Sequence, residues 1–393
     1  MKVFMLSNPA AIHTQRWVSA LAKRGVEIML YSFYPCEKVD YYRGIKHVQV
    51  KSFWQSRDSK GIKGFILVKL FTYYRALIKD IRNSIQTFHP DIVHAHYLSD
   101  NGLFGALAGF HPFVVSAWGT DVYDYPRRSW SRACVIKYIL KKADRVLSTS
   151  HVMARELARY TDKKQIPVTP FGVDMRLFKR FPKKHQETDG FVFGIVKTLE
   201  YGYGIDTLID AFALLCKRRP DLNLCLRIVG EGSEREKLQL QAINLGLAEK
   251  IVFEGKVVHD HLPEVISSFD VFVALSRVES FGVAVVEAMA VGCPVVVSDA
   301  PGFTEIVKSG ESGLIVEREN PQQASEAMET LVNDETLRVT LAQNGEKRVR
   351  ELYDWDKNVE NMIEIYQEIM EGRNVYKASH ERFGTLWYRK CGR

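Results

Sequence analysis

The sequence predicts an α/β protein made of two parallel-sheet domains. Three observations carry the prediction: the length, an alternation of short apolar runs with amphipathic segments that occurs in two series, and a charged break separating the series. At 393 residues, 46% apolar and 26% charged, the chain suits two soluble domains of ordinary size.

The first series opens with a strand at Val3 to Leu6, a helix through Gln15 to Ala22 and a strand at Val26 to Tyr31. The turn from Ser7 to Thr14 contains no glycine. A dinucleotide-binding turn needs glycine for close backbone approach, which argues against a nicotinamide enzyme. Residues 60–88 read as a long amphipathic helix, with Arg75, Lys79 and Arg82 on one face and Leu77, Ile78, Ile81 and Ile85 opposite. Two readings fit it: a helix lying on anionic lipid, or a domain helix with a solvated basic face.

The strand Pro90 to His96 ends in two histidines, and no third ligand at metal spacing follows, so no zinc site is expected. Phe113 to Asp121 is a strand and loop, and Ala143 to Ser150 leads into a helix capped by Ser150. The first domain is expected to span 1–178. Residues 179–190 are charged, contain proline and lack apolar periodicity, which makes them a linker.

The second series runs from the strand Phe191 to Lys197 through Leu222 to Val229, Ile251 to Val257 and Asp270 to Leu275. It closes with Gly313 to Val316 and helices through about Glu371, for an expected domain of 191–371. Residues 372–393 carry six Lys+Arg and one Glu, a basic tail.

The chain is organised around Leu275 to Glu305. Between Phe281 and Ser298 the one charged residue is Glu287, inside a helix apolar on nearly every face. A buried carboxylate must have a partner that offsets its desolvation. Glu279 precedes this helix at the end of a buried strand, and Ser280, Phe281 and Gly282 offer backbone N–H groups at the helix start, a geometry that favours phosphate. Two ordinary salt bridges would explain either glutamate alone. The pair, with Gly282 between, points to a phosphate and a polyhydroxylated ring held side by side.

The stretch Glu279, Glu287, Ala288-Met289-Ala290, Gly292, Pro294-Val295-Val296 and Pro301-Gly302-Phe303-Thr304-Glu305 resembles the signature of the family 4 (GT4) retaining glycosyltransferases, the glycosyl transferases group 1 of the GT-B superfamily. The resemblance implies two Rossmann-like domains facing a cleft, with the C-terminal helix crossing back to the first domain. It implies that Glu287 binds the ribose hydroxyls of a nucleotide sugar and that Glu279 faces the donor sugar and phosphate. It likewise implies that Lys197 meets the diphosphate, that Gly230 and Gly232 form a nucleotide-binding turn, and that the backbone of Lys256 and Val257 contacts the base. Where the family has a second basic clamp residue, this chain has Gly202 and Tyr203; where many members carry a histidine near the donor sugar, it has Trp118. Asp121 is expected in the cleft. His96 is either an acceptor-side residue or a satisfied histidine, and His13 lies in a turn similar to a recurrent subgroup variant of the family's usually glycine-rich loop.

Charge is unevenly divided. Residues 1–190 hold 31 Lys+Arg against 15 Asp+Glu, and the remainder 23 against 32, within a net charge of +7. A basic first half suits an anionic membrane surface, an anionic glycan or a lipid diphosphate. Nucleic acid matches the charge, but no recognition motif accompanies it. The six cysteines are irregularly spaced with no CxxC pair, and they read as reduced core residues. No apolar run approaches a bilayer-spanning length.

The resemblance implies a metal-independent, retaining glycosyltransferase of the hexosyltransferase type that moves a sugar from a nucleotide-diphosphate sugar to an acceptor hydroxyl, and the basic first half points to a lipid-linked or surface glycan as acceptor. The donor is a substrate, and no cofactor is expected. A cytoplasmic protein with peripheral contact on the inner membrane face is anticipated. A GT-B nucleotide-sugar epimerase and a non-catalytic nucleotide-sugar-binding protein are the competing readings.

Overall fold

Short β-branched runs that are buried on both faces give parallel strands, because the crossover helices cover both sides of the sheet. The computed structural model describes residues 1–34, 39–53, 66–182 and 190–388, and among these the chain forms two such sheets. The first contains β1 (Lys2–Leu6), β2 (Glu27–Ser32), β3 (Val48–Ser52), β4 (Ile92–His96), β5 (Phe113–Ala117) and β6 (Arg145–Ser148). The second contains β7 (Phe191–Val196), β8 (Leu224–Val229), β9 (Ile251–Gly255), β10 (Val271–Ala274), β11 (Val295–Ser298) and β12 (Leu314–Val316).

The strand orders are β3-β2-β1-β4-β5-β6 and β12-β11-β10-β7-β8-β9, with every pair parallel. Each order reverses once, between β1 and β4 and between β7 and β10. In open doubly wound sheets, ligands bind beyond the C-terminal ends of the strands at that reversal.

The helices of the first series are α1 (Ile12–Lys23), α2 (Ile66–Phe88), α3 (Leu103–Ala108), α4 (Thr120–Tyr123), α5 (Trp130–Lys142) and α6 (His151–Leu157). Those of the second are α7 (Ile205–Arg218), α8 (Arg235–Asn244), α9 (Leu262–Ser267), α10 (Val283–Ala290), α11 (Pro301–Ile306), α12 (Pro321–Asn333) and α13 (Glu335–Leu352), and α14 (Trp355–Tyr388) ends the described chain. The chain divides into two compact units, Met1–Thr169 with the chain from Val359 onward, and Pro170–Asn358. α14 therefore starts in the second unit and continues in the first.

The first core is built on Phe4, Leu6, Phe104, Phe113, Ile136 and Ile139, all buried. α2 packs Leu77, Ile81 and Ile85 into it. Its apolar face is thus covered by protein, and Arg82 on the opposite face donates to the carbonyls of Leu107 and Ala108 at the end of α3. This is the packed domain helix of the two readings; an interfacial helix would need that apolar face for lipid. The part expected from 60 to 65 lies outside the described residues.

The second core uses Phe193, Phe212, Phe269 and Phe272, fully buried aromatic rings each contributing about 2–3 kcal/mol of apolar transfer free energy. Gly194 in β7 is required by this packing, because a Cβ there would stand 2.2 Å from the Phe269 ring. The segment around Val173 belongs with this unit: Val173 and Asp354 form a parallel bridge, with the Val173 N–H donating to the Tyr353 carbonyl.

Two expectations change. Among the described cysteines only Cys293 is buried, while Cys134, Cys216 and Cys225 are half-buried; Cys36 and Cys391 lie outside the described residues. The basic segment expected as a tail from 372 continues α14 as far as Tyr388. No helix among the described residues is long and apolar enough to cross a membrane.

Candidate active site

The second unit brings its candidate residues together where the strand order reverses. β7 delivers Lys197, the residue after its last, and β10 leads through Leu275 and Ser276 to Glu279. The two side chains meet there: Lys197 Nζ is 2.6 Å from Glu279 Oε2, with side-chain exposures of 18% and 10%. The Tyr203 ring covers the same ammonium, its centroid 4.1 Å from Nζ. Tyr203 therefore stands against Lys197 with a π face where the resemblance implies a second cation.

The turn after Glu279 is held in place by glycines. Gly282 precedes α10 with φ +102, a conformation suited to glycine, and a Cβ there would stand 2.8 Å from the Phe303 ring. Gly302 packs against the backbone of Ser280 and Phe281, and its N–H donates to the Glu279 carbonyl at 3.0 Å. The Pro301-Gly302-Phe303 segment is thus the buttress of the Glu279 turn. Phe281 is buried, and the Ser280 N–H donates to Glu279 Oε1 at 3.2 Å. Among the described residues the N–H groups of Phe281, Gly282, Val283 and Ala284 have no acceptor in the protein. They are the orphan donors of a helix start.

Glu287 lies one helical stretch further along α10, 4% exposed, and its partner is His259. The imidazole Nε2 is 3.0 Å from Glu287 Oε1, and the Phe178 ring packs edgewise on it at 5.3 Å. His259 opens the 3-10 turn His259–His261 that follows β9, Lys256 and Val257. Lys256 is exposed and Val257 half-buried.

Gly230 and Gly232 serve the backbone first. A Cβ at Gly230 would stand 1.9 Å from the Lys197 carbonyl oxygen, and one at Gly232 2.3 Å from that of Leu199. Glu200 then accepts from the N–H and hydroxyl of Ser233. The turn after β8 is consequently locked onto the end of β7, which fixes the Lys197 backbone.

The first unit gathers His13, His96 and Trp118 where β1 and β4 reverse the order. The Trp118 ring lies 4.8 Å from that of His96 and 5.9 Å from that of His13. His96 is 1% exposed, its Nδ1 has no hydrogen-bond partner, and burial first, then the neighbouring His94 and His13, lowers its pKa well below the usual value. It is therefore neutral at pH 7. Tyr97, at φ +77, turns the chain sharply after it, and Asn101 Nδ2 donates to the His96 carbonyl.

Asp121 faces backbone N–H groups. It is fully buried, and its carboxylate accepts from the N–H groups of Leu98, Trp118 and Gly119. Burial pushes its pKa up, and those N–H groups pull it back. The carboxylate ties the Trp118 loop to the turn after β4, because burying its charge requires several donors. Asp121 is thus a loop-holding residue rather than one that touches substrate.

Two family models cover complementary parts of the chain: Glycosyl transferase 4-like over residues 2–150, and Glycosyl transferases group 1 over residues 178–348. The chain belongs to the glycosyl transferases group 1 family. This glycosyltransferase is 26% identical over 381 residues to an uncharacterized glycosyltransferase of Methanocaldococcus jannaschii, covering 94% of this chain and 99% of the relative. It is 28% identical over 320 residues to the D-inositol 3-phosphate glycosyltransferase of Acidothermus cellulolyticus, covering 72% and 68%. Its fold is similar to that of Anabaena HepE, solved in complex with UDP and glucose, at 21% identity and a TM-score of 0.76 over 93% of this chain and 99% of that one. The two doubly wound sheets and this likeness make the glycosyltransferase a GT-B protein.

Sequence reasoning missed His259 in this glycosyltransferase. The one signal was a histidine shortly after Lys256 and Val257, and nothing local said which way it faced. It also missed the stacking of Tyr203 on Lys197. No group of three or more His, Cys, Asp or Glu placed to hold a metal occurs among the described residues.

Proposed function

We propose that this glycosyltransferase moves a sugar from a nucleotide-diphosphate sugar to an acceptor hydroxyl with retention of anomeric configuration. The second unit holds the donor and the first the acceptor. The observation that carries the reading is the Lys197–Glu279 pair at the reversal of the second sheet, beside the unpartnered N–H groups that begin α10.

In this reading the diphosphate lies on those N–H groups and on Lys197, and Glu287, oriented by His259, accepts hydrogen bonds from the ribose hydroxyls. Glu279 faces the sugar. As the bond from the anomeric carbon to the phosphate oxygen breaks, negative charge grows on the diphosphate. Lys197 and the helix start meet that charge, so the reading assigns the work to a side chain and peptide dipoles rather than to a divalent cation. The acceptor oxygen forms its bond on the face the diphosphate leaves, and its proton passes to the departing phosphate oxygen. Neutral His96 and Trp118 line the acceptor side.

The Anabaena neighbour's UDP and glucose, and the D-inositol 3-phosphate in the name of the Acidothermus relative, support a nucleotide-sugar donor and a hydroxylated acceptor. A glycan or lipid-linked acceptor suits the basic first half of the chain. The test is a thermal-shift screen of nucleoside diphosphates and their sugars, followed by an assay of nucleoside diphosphate release with and without acceptors. A raised melting temperature for one nucleotide class, and release that depends on acceptor, are expected. No shift with any nucleotide overturns the reading.

A further inference from the structure

α5 presents an outer face that nothing described so far uses. Trp130, its first residue, is 83% exposed, and Cys134, Lys137 and Lys141 follow at helical spacing along the same line, with Tyr138 and Lys142 beside them. The opposite side of the helix buries Ile136, Ile139 and Leu140 in the first core. Next to this line the chain after α6 adds Arg159, Tyr160 and Lys163, and together with Lys137 and Lys141 they surround a recess of about 590 Å³ in which Asp162 is the one acidic lining residue against four basic ones.

Three features set this face apart from an ordinary solvated one. First, Lys137, Lys141 and Lys163 have no acidic side chain within ion-pair distance among the described residues, and Lys137 and Lys141 are like charges one turn apart, an arrangement that costs helix stability. Lys141 and Lys142 gain from the negative end of the helix dipole, but Lys137 and Lys163 do not. Second, an indole left in water forfeits the transfer free energy its burial would give, and tryptophan with lysine is the pairing found where protein meets the headgroup layer. Third, Trp130 and Lys141 are separated by about 16 Å along a straight helix, so a helix lying flat brings both to one plane.

We propose that the outer face of α5, with the chain following α6, docks on an anionic lipid bilayer. Trp130 enters the headgroup boundary, and Lys137, Lys141 and Lys163 meet lipid phosphates around the recess. A soluble polyanion would engage the lysines equally well but leaves the exposed indole without a role, which favours the bilayer. α2 is not the docking element, since its apolar face lies in the core and Arg82 is bonded to α3.

The experiment is co-sedimentation of the full chain with vesicles of phosphatidylcholine alone and with added phosphatidylglycerol, at low and at physiological ionic strength. Binding is expected to the anionic vesicles only, weakening with salt. The Lys137→Glu/Lys141→Glu pair should lower it by about tenfold or more, and Trp130→Ala should lower it at both salt levels. An Arg75→Glu/Lys79→Glu pair on α2 should leave it within about twofold of wild type. The proposal is overturned if the wild-type chain ignores anionic vesicles, if the α5 variants bind as wild type does, or if the α2 pair lowers binding as much as the α5 pair. Equal competition by soluble heparin against wild type and Trp130→Ala, with no indole contribution to vesicle binding, also overturns it. Nucleoside diphosphate thermal shifts, measured on the same variants, report folding and donor binding separately, so failure of the donor reading leaves the vesicle result standing.

Discussion

Lys197 Nζ and Glu279 Oε2, 2.6 Å apart, join the ends of the two strands at which the second sheet changes direction. An ion pair this sequestered is weak evidence for stability, because desolvation offsets most of the Coulomb gain. It is stronger evidence for a site, since a diphosphate brings the negative charge that lets Lys197 leave Glu279 without remaining unpaired. Lys197→Ala and Glu279→Ala should each lower acceptor-dependent turnover by about tenfold or more. Lys197→Ala should also cost about 2 kcal/mol of stability by stranding the carboxylate, and Lys197→Ala/Glu279→Gln should recover part of it in denaturant unfolding.

Tyr203 holds the Lys197 ammonium through its ring face, 4.1 Å from the centroid. Tyr203→Phe keeps that face and should bind nucleoside diphosphate as wild type does, whereas Tyr203→Ala should weaken binding about fivefold, a cation–π contribution near 1 kcal/mol. Calorimetric titration of the two variants distinguishes the ring from the hydroxyl. Equal loss in both would move the role to the hydroxyl.

Glu287 and His259, 3.0 Å apart, should act as a unit on the ribose. Glu287→Ala should abolish the preference for ribonucleoside over 2′-deoxyribonucleoside diphosphates. His259→Ala should weaken nucleotide binding by about tenfold and narrow the same preference, since an unoriented carboxylate loses hydrogen-bond geometry. Competition binding with paired ribo and deoxy nucleotides reads both effects.

Much of this was legible in the sequence, and what was not has a physical cause. Parallel strands buried on both faces announce themselves as continuous apolar runs, so most strands of the two sheets could be read directly, whereas the half-buried edge strand Val48–Ser52 and the short strand Val295–Ser298 were not. The lone charge at Glu287 in an apolar helix demanded a partner, yet that partner is 28 residues away on another element. Pairing across a fold leaves no local spacing to read. Asp121 was misplaced for a related reason: a carboxylate that binds backbone N–H groups has the same sequence signature as one that binds a sugar. That Gly230 and Gly232 also let the turn after β8 pack on the Lys197 and Leu199 carbonyls had no local signal either, because that contact too is across the fold.

The buried histidines of the first unit make stability depend on pH. His94 is held between Tyr366 Oη at 2.6 Å and Ser116 Oγ at 2.8 Å, and burial lowers its pKa to about 3; His96 is lowered for the same reason. In the unfolded chain both protonate below about pH 6.5. Between roughly pH 3 and 6.5 the unfolded state therefore binds more protons, and stability rises with pH in that window and levels off above it. Unfolding by urea at pH 5.5 should show a loss of about 1 kcal/mol for each histidine relative to pH 7.5, and His94→Gln should remove part of the slope.

The central claim is most directly tested by a crystal of the protein soaked with the nucleoside diphosphate that raises its melting temperature most. The account predicts ribose hydroxyls within hydrogen-bond distance of Glu287, and the β-phosphate on Lys197 Nζ and the N–H groups of Phe281 and Gly282. A nucleotide bound elsewhere, with Lys197 still paired to Glu279 and the start of α10 empty, would contradict it.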